Sequence, residues 1–223
     1  TPLTTPVHYQ LYRSVDGVVF TSLESKKIVD KELGLRRTAY IWHPLNPRPA
    51  GKEPRRTVVY SGSLAQDKLI ELLLDALAAS RCGIIVDLIG GAPGDVERVR
   101  REAEARGVAG NLRFLDRVPH RALPAILGEY RFGLSLVEGL KVADYVECGL
   151  VPIIPRLPMY TEIFDDDSAA FFEPDNMHDL GQLLSRLEDR QPRHVSSQGI
   201  LETYSLKETA GKIFSLMAQC TNS

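Results

Sequence analysis

Lys141-Val142-Ala143-Asp144-Tyr145-Val146-Glu147-Cys148-Gly149-Leu150-Val151-Pro152-Ile153-Ile154 reads as a short helix, a glycine stop and a buried strand. Lys141 and Asp144 are three apart at the start of the helix, so they share one face. The preceding Phe132-Gly133-Leu134-Ser135-Leu136 is itself strand-like. The unit is therefore strand, loop, helix, strand, with charge gathered where the loop meets the helix. Exposed backbone N–H groups and the helix dipole suit that junction to a phosphate. An Asp there can accept hydrogen bonds from a ribose.

The same alternation extends outward on both sides. Strands are predicted at 57–60, 84–89, 112–115, 132–136, 152–154 and 169–172, and helices at 67–79, 95–106, 121–127, 141–148, 177–188 and 206–218. Strands alternating with helices predict a parallel sheet covered on both faces. Ligands of such sheets bind at the carboxyl ends of the strands. Those ends read Ser61-Gly62-Ser63, Gly90-Gly91-Ala92-Pro93-Gly94, Asp116-Arg117-Val118-Pro119 and Val137-Glu138-Gly139.

Upstream the pattern is different. Residues 1–6 read as extended or disordered and 8–15 as a short helix. Val18-Val19-Phe20-Thr21 is a strand, and Ser22 caps a helix that Gly34 ends. A further strand is predicted at 39–42, and residues 43–56 carry four prolines, which makes them a linker.

Composition narrows the class. With 223 residues and 43% hydrophobic content, the chain can bury a substantial core. A net charge of -2 gives no strong field for nucleic acid or an acidic membrane surface. Arg36-Arg37 and Arg55-Arg56 read as solvated linker charges. Three cysteines without a CxxC make neither a disulfide framework nor a zinc site, and suit a reducing cytoplasm. No apolar run approaches the roughly 20 residues of a membrane span. The chain starts at Thr1 without a Met, which reads as a fragment.

The opening segment resembles retaining glycosyltransferases of the two-domain "B" architecture (GT-B), family 4-like or group 1. These include sucrose and glycogen synthases and bacterial exopolysaccharide transferases. They often carry Lys-x-x-Glu-Tyr-x-x-x-Gly-x-Pro-Val, matched here by Lys141, Asp144 for Glu, Tyr145 and Gly149, with the proline one place late at Pro152. The resemblance implies a Rossmann-like doubly wound α/β sheet, the C-terminal half of such a fold. It divides the chain into a remnant of an N-terminal acceptor domain plus linker at 1–50, and a nucleotide-sugar-binding domain with a C-terminal crossover helix at 51–223.

The resemblance also implies a site. Gly62, Ser63 and Lys68 fall in a Gly-Arg-Leu-x-x-x-Lys-Gly pattern in which Arg and Lys neutralise the donor diphosphate. Ser63 replaces the Arg and Leu69 replaces the second glycine, and a lost Arg removes a bidentate phosphate partner. Lys68 reads equally as a phosphate ligand or a surface lysine. Gly90 to Gly94 read as a structural turn. Arg117 and Val118 belong to a Gly-x-Val-Pro turn that meets the nucleotide base in relatives, and His120 reads as a helix-start residue.

Lys141, Val142 and Asp144 complete the donor set, with Asp144 on the ribose. Glu138 is the catalytic candidate, contacting the donor sugar, or else an ordinary loop carboxylate. Its spacing to Asp144 is six rather than the family's eight. Glu147 and the run Asp165-Asp166-Asp167 read as solvated.

The implied function is transfer of a sugar from a UDP-, GDP- or ADP-sugar to a glycan, lipid or small-molecule acceptor, with retention, as in polysaccharide biosynthesis. No metal cofactor is expected. The expected partner is an N-terminal acceptor domain, on the same chain or another, and the expected location is cytoplasmic or peripheral at a membrane. The alternatives are a degenerate, non-catalytic nucleotide- or partner-binding module, and a sugar-nucleotide epimerase or phosphorylase of the same architecture.

Overall fold

Alternating short apolar runs and amphipathic segments become, in chain order, α1 (Pro6–Arg13), β1 (Val18–Phe20), α2 (Leu23–Leu33), β2 (Thr38–Tyr40), β3 (Arg56–Ser61) and α3 (Ile70–Ser80). They continue as β4 (Val86–Ile89), α4 (Pro93–Ala105), β5 (Leu112–Leu115), α5 (Leu123–Leu127), β6 (Tyr130–Leu134) and α6 (Lys141–Glu147). The last are β7 (Val151–Pro155), α7 (Pro158–Thr161), β8 (Ala170–Phe172), α8 (Met177–Asp189), α9 (Gln198–Thr203) and α10 (Leu206–Thr221). This computed structural model describes residues 6–48, 56–189 and 198–221. Of the stretch read as extended or disordered, residues 1–5 lie outside those residues and Pro6 begins α1; half of the predicted linker, residues 49–55, also lies outside them.

The chain divides into two compact units, residues 1–46 with 198–223, and residues 47–197. The final helix therefore groups with the first unit, although the sequence assigned it to a domain at 51–223. It does so because it packs against β2 and the segment before β1, where Cys220 Sγ donates to the Asp16 carbonyl.

In the first unit β1 and β2 pair in parallel, with Val19 opposite Ala39. The Ser22 hydroxyl accepts from the Ser25 N–H at 3.2 Å, and Gly34, at φ 61°, closes α2 as predicted. Trp42 packs edge-on against Tyr204, with ring centroids 5.3 Å apart.

In the second unit six strands run in the order β5-β4-β3-β6-β7-β8, every neighbouring pair parallel. This is the doubly wound α/β sheet that the sequence implied. The chain builds outward from β3 through β4 to β5, then returns to the other side of β3 to build β6, β7 and β8. The crevice where the order reverses, between β3 and β6, is where such sheets take ligands.

Both faces are covered, which explains why the strands are continuously apolar rather than alternating. Val58, Tyr60, Val86, Leu88, Phe132 and Leu134 meet α3, α4 and α8 on one face. Val59, Ile89, Tyr130 and Tyr145 make the second core, against α5 and α6. Gly181 lets α8 approach α3 closely: a Cβ there would lie 2.8 Å from the Ala76 carbonyl oxygen. Asp87, 1% exposed on β4, is held by Arg113 at 2.8 Å and the Tyr130 hydroxyl at 2.5 Å.

Candidate active site

Tyr145 organises the crevice. Its ring lies against β6 at Gly133, where a Cβ would stand 2.2–2.6 Å from the ring carbons. Only glycine fits there. The buried hydroxyl donates to the Leu134 carbonyl at 3.0 Å and accepts from the Ser61 N–H at 3.0 Å, with the Ser61 hydroxyl 3.2 Å away. One phenol thus joins the ends of β3 and β6. Burial raises its pKa well above the ordinary value.

Lys141 lies one turn before Tyr145, on the same helix face. Its ammonium sits 4.0 Å over the Tyr60 ring, and a Cβ built on Gly62 would be 3.6 Å from Nζ. The Tyr60 hydroxyl donates to the Ser63 carbonyl at 2.8 Å and so shapes the turn beneath the ammonium. Burial, with Lys68 nearby, brings the Lys141 pKa down to about 8. A cation held in a largely dry place beside a bare glycine is arranged to meet an anion.

The loops after β3 and β4 lie side by side. The Gly62 N–H donates to the Ile89 carbonyl at 2.9 Å, and the Gly91 N–H to the Gly62 carbonyl at 3.1 Å. Gly90 has φ 109°, and its Cβ would fall 2.7 Å from the Gly62 oxygen, so glycine is required. Gly90 to Ala92 form a structural turn, as the sequence suggested, and line the cavity, whereas Pro93 and Gly94 already belong to α4.

That cavity has a volume of about 540 Å³ at the carboxyl ends of β3, β4 and β5 and the start of α6. This is the ordinary size of a small-molecule site. Of the predicted residues it brings together Gly62, Ser63, Arg117, Val118, Lys141 and Asp144. Lys68 is outside the lining, and its ammonium meets Asp67 at 2.6 Å. The Val142 side chain is fully buried, so it packs into the core, and any part it plays in binding is through its main chain. Glu138 is exposed on the loop between β6 and α6 and does not line the cavity. The Tyr160 hydroxyl accepts from the Gly139 N–H at 3.0 Å and holds that loop.

The lining also includes Asp95, His120 and Leu123, which sequence reasoning left out. Their signal was position: Asp95 and His120 follow strand ends closely, and Leu123 opens the helix after β5. His120 Nε2 stands 3.7 Å from Asp144 Oδ1. Glu147 is a correction. It was expected to be solvated, but it is 8% exposed and pairs with Arg48, Nε to Oε2 3.5 Å, while the Arg48 N–H donates to its carbonyl at 3.0 Å. The acidic run at 165–167 does form a turn: Asp165 accepts from the Ser168 hydroxyl at 2.6 Å, and Asp166 pairs with Arg156 at 2.7 Å.

The family model for glycosyl transferases group 1 matches residues 45–199. The chain belongs to this family. As a member, it departs from the expected pattern at Ser63, Leu69 and Asp144. No curated protein matches its sequence.

Solved structures share its fold. A mutant of S. aureus TarM, in complex with fondaparinux, α-GlcNAc-glycerol and UDP, matches 94% of the chain and 45% of its own length at 14% identity and TM-score 0.79. The GtfA/B complex matches 98% of the chain and 48% of its own length at 19% identity and TM-score 0.80. Anabaena Alr3699/HepE with UDP and glucose matches 95% and 66% at 16% identity and TM-score 0.75. At these identities the likeness is one of fold. The family member spans about half the length of the first two structures. Among its described residues no helix is long and apolar enough to cross a membrane.

Proposed function

We propose that this chain is the donor-binding half of a retaining glycosyltransferase. It holds a nucleoside diphosphate sugar with the diphosphate at Lys141 and Gly62, the ribose at Asp144, and the base along Arg117 and Val118. The observation that carries this reading is the ammonium of Lys141, desolvated against Gly62 at the reversal point of the sheet. Bound phosphate gives that ammonium an anionic partner, and Lys68, paired with Asp67, stands outside the cavity as a second cation that a phosphate could recruit. Charge neutralisation by these side chains leaves no step that calls for a metal. Structures of the same fold solved with UDP make UDP and its sugars the first donors to test.

Transfer itself needs an acceptor-binding half, supplied on the same chain or by a partner, with the reaction in the cytoplasm or at a membrane face. Polysaccharide, lipid and small-molecule acceptors all fit this reading. A second reading has its own support. Ser63 replaces a phosphate-binding Arg, and Glu138 is exposed outside the cavity, both of which suit a non-catalytic module that keeps only nucleotide binding.

A thermal-shift screen against UDP, GDP, ADP and their sugars tests nucleotide binding in either case. A ligand at 100-fold over its Kd raises stability by about 2.7 kcal/mol. No shift with any of them rejects the donor site. Binding without sugar transfer, once an acceptor half is supplied, selects the second reading.

A further inference from the structure

We infer that His120 is a specificity-determining residue of this nucleotide site, closing with Asp144 as a two-sided clasp on the ribose and selecting for its hydroxyls. The inference rests on the donor-site reading above. The two side chains come from separate elements, the turn after β5 and the first turn of α6, and both line the same cavity. His120 Nε2 and Asp144 Oδ1 stand 3.7 Å apart, beyond the ordinary range of a direct hydrogen bond.

The chemistry of the pair is complementary to a hydroxyl. An ionised carboxylate only accepts, whereas an imidazole N–H donates. A ribose hydroxyl can give its proton to Asp144 and receive one from His120. At hydrogen-bond lengths of about 2.8 Å on each side, the flanking atoms can stand up to roughly 5.5 Å apart. His120 has the freedom to open by that difference, since its side chain is 76% exposed, while Asp144 is 30% exposed and fixed on the helix. Val118 and Leu123 line the cavity beside His120 and supply an apolar wall for the neighbouring base. A site built to bond a hydroxyl discriminates strongly against the analogue that lacks it, because its own polar groups are left unpaired.

The test is calorimetric titration of the whole chain with UDP, GDP and ADP, and with the 2′,3′-dideoxy form of the tightest. Five proteins are compared: the unmodified chain, His120→Ala, His120→Gln, Asp144→Asn, and the His120→Ala/Asp144→Asn double variant that closes the cycle. His120→Ala is expected to weaken the ribonucleotide about 5- to 10-fold and the dideoxy form less than about 2-fold, the loss of one hydrogen bond to a charged or polar partner. His120→Gln keeps a donor and is expected to recover most of the loss. In the double variant the His120 change is expected to add less than about 2-fold, since the two groups hold the same hydroxyls.

Equal losses for both ligands, or no loss, overturn the inference. If Asp144→Asn discriminates between the ligands and His120→Ala does not, the ribose reading stands and the clasp falls. If the unmodified chain binds no nucleotide, the donor site falls and the clasp with it.

Discussion

At the first residue of α6, a lysine is kept in a place that disfavours its own charge. The folded Lys141 has a pKa of about 8 against an ordinary 10.5, so between those values the unfolded chain holds a proton that the folded chain has lost. Stability therefore rises with pH through this window, and below about pH 8 the ammonium works against the fold. Lys141→Met is expected to stabilise the chain at pH 7 by about 1–3 kcal/mol and to abolish that part of the pH slope, measured by urea unfolding from pH 7 to 10. The same substitution is expected to weaken nucleoside diphosphate binding at least tenfold. In the unmodified chain, binding of ADP, whose base does not titrate in this range, should weaken as pH rises above 8, where the phosphate is already ionised and Lys141 loses its proton.

Leu69 carries a different strain. It stands where the family pattern has glycine, and its φ of 53° is the left-handed conformation that a side chain resists by roughly 1–2 kcal/mol. Leu69→Gly is expected to leave stability unchanged or higher, and Leu69→Val to lower it by about 1–2 kcal/mol, by the same unfolding measurement. This strain was legible in the sequence only as a mismatch with the motif. The sequence did register the lysine, the ribose acid and the glycine turns. It did not register that Glu147 is buried, because Arg48 reaches it from a proline-rich stretch that reads as a linker.

Among the elements, α6 is set by one buried phenol. Tyr145→Phe removes the partner of the Ser61 N–H and the donor to the Leu134 carbonyl, both at the ends of central strands. It is expected to destabilise by about 1–3 kcal/mol, and to weaken nucleotide binding by loosening the turn at Gly62. Amide exchange at Ser61 and Gly62 checks this directly: faster exchange is expected there, with β7 and β8 unchanged.

Most strands and long helices were legible from periodicity, since a run such as Val58 to Tyr60 or a helix such as α8 carries its own pattern. Short elements were not. The predicted helix at 67–79 is a 3-10 turn over Gln66–Lys68, a left-handed Leu69 and then α3, because one residue's dihedral angle divides the two. α7 has four residues and too few to show a period. The strand order that creates the crevice depends on pairings such as Val58 with both Val86 and Phe132, far apart in sequence, which no local pattern encodes.

For the whole molecule, the division into two units and the fraction of the matched structures that it spans bear on activity. Catalysis of sugar transfer depends on aligning donor and acceptor, and loss of that positioning forfeits about 7–11 kcal/mol of barrier lowering. The chain alone is expected to give slow donor hydrolysis at most. Transfer is expected once an acceptor-binding half is supplied, measured by release of nucleotide with and without it. Robust transfer by residues 1–223 alone would require an acceptor site within them.

The central claim is that a nucleoside diphosphate sits at the ends of β3, β4 and α6. Backbone NMR of the chain under saturating UDP, GDP and ADP in turn tests it most directly. The expected result is that at least one nucleotide shifts the signals of Gly62, Gly90, Gly91 and residues 141–144 together, with those of β1, β2 and α10 unmoved. Saturating nucleotide that leaves Gly62 and residues 141–144 in place would contradict it.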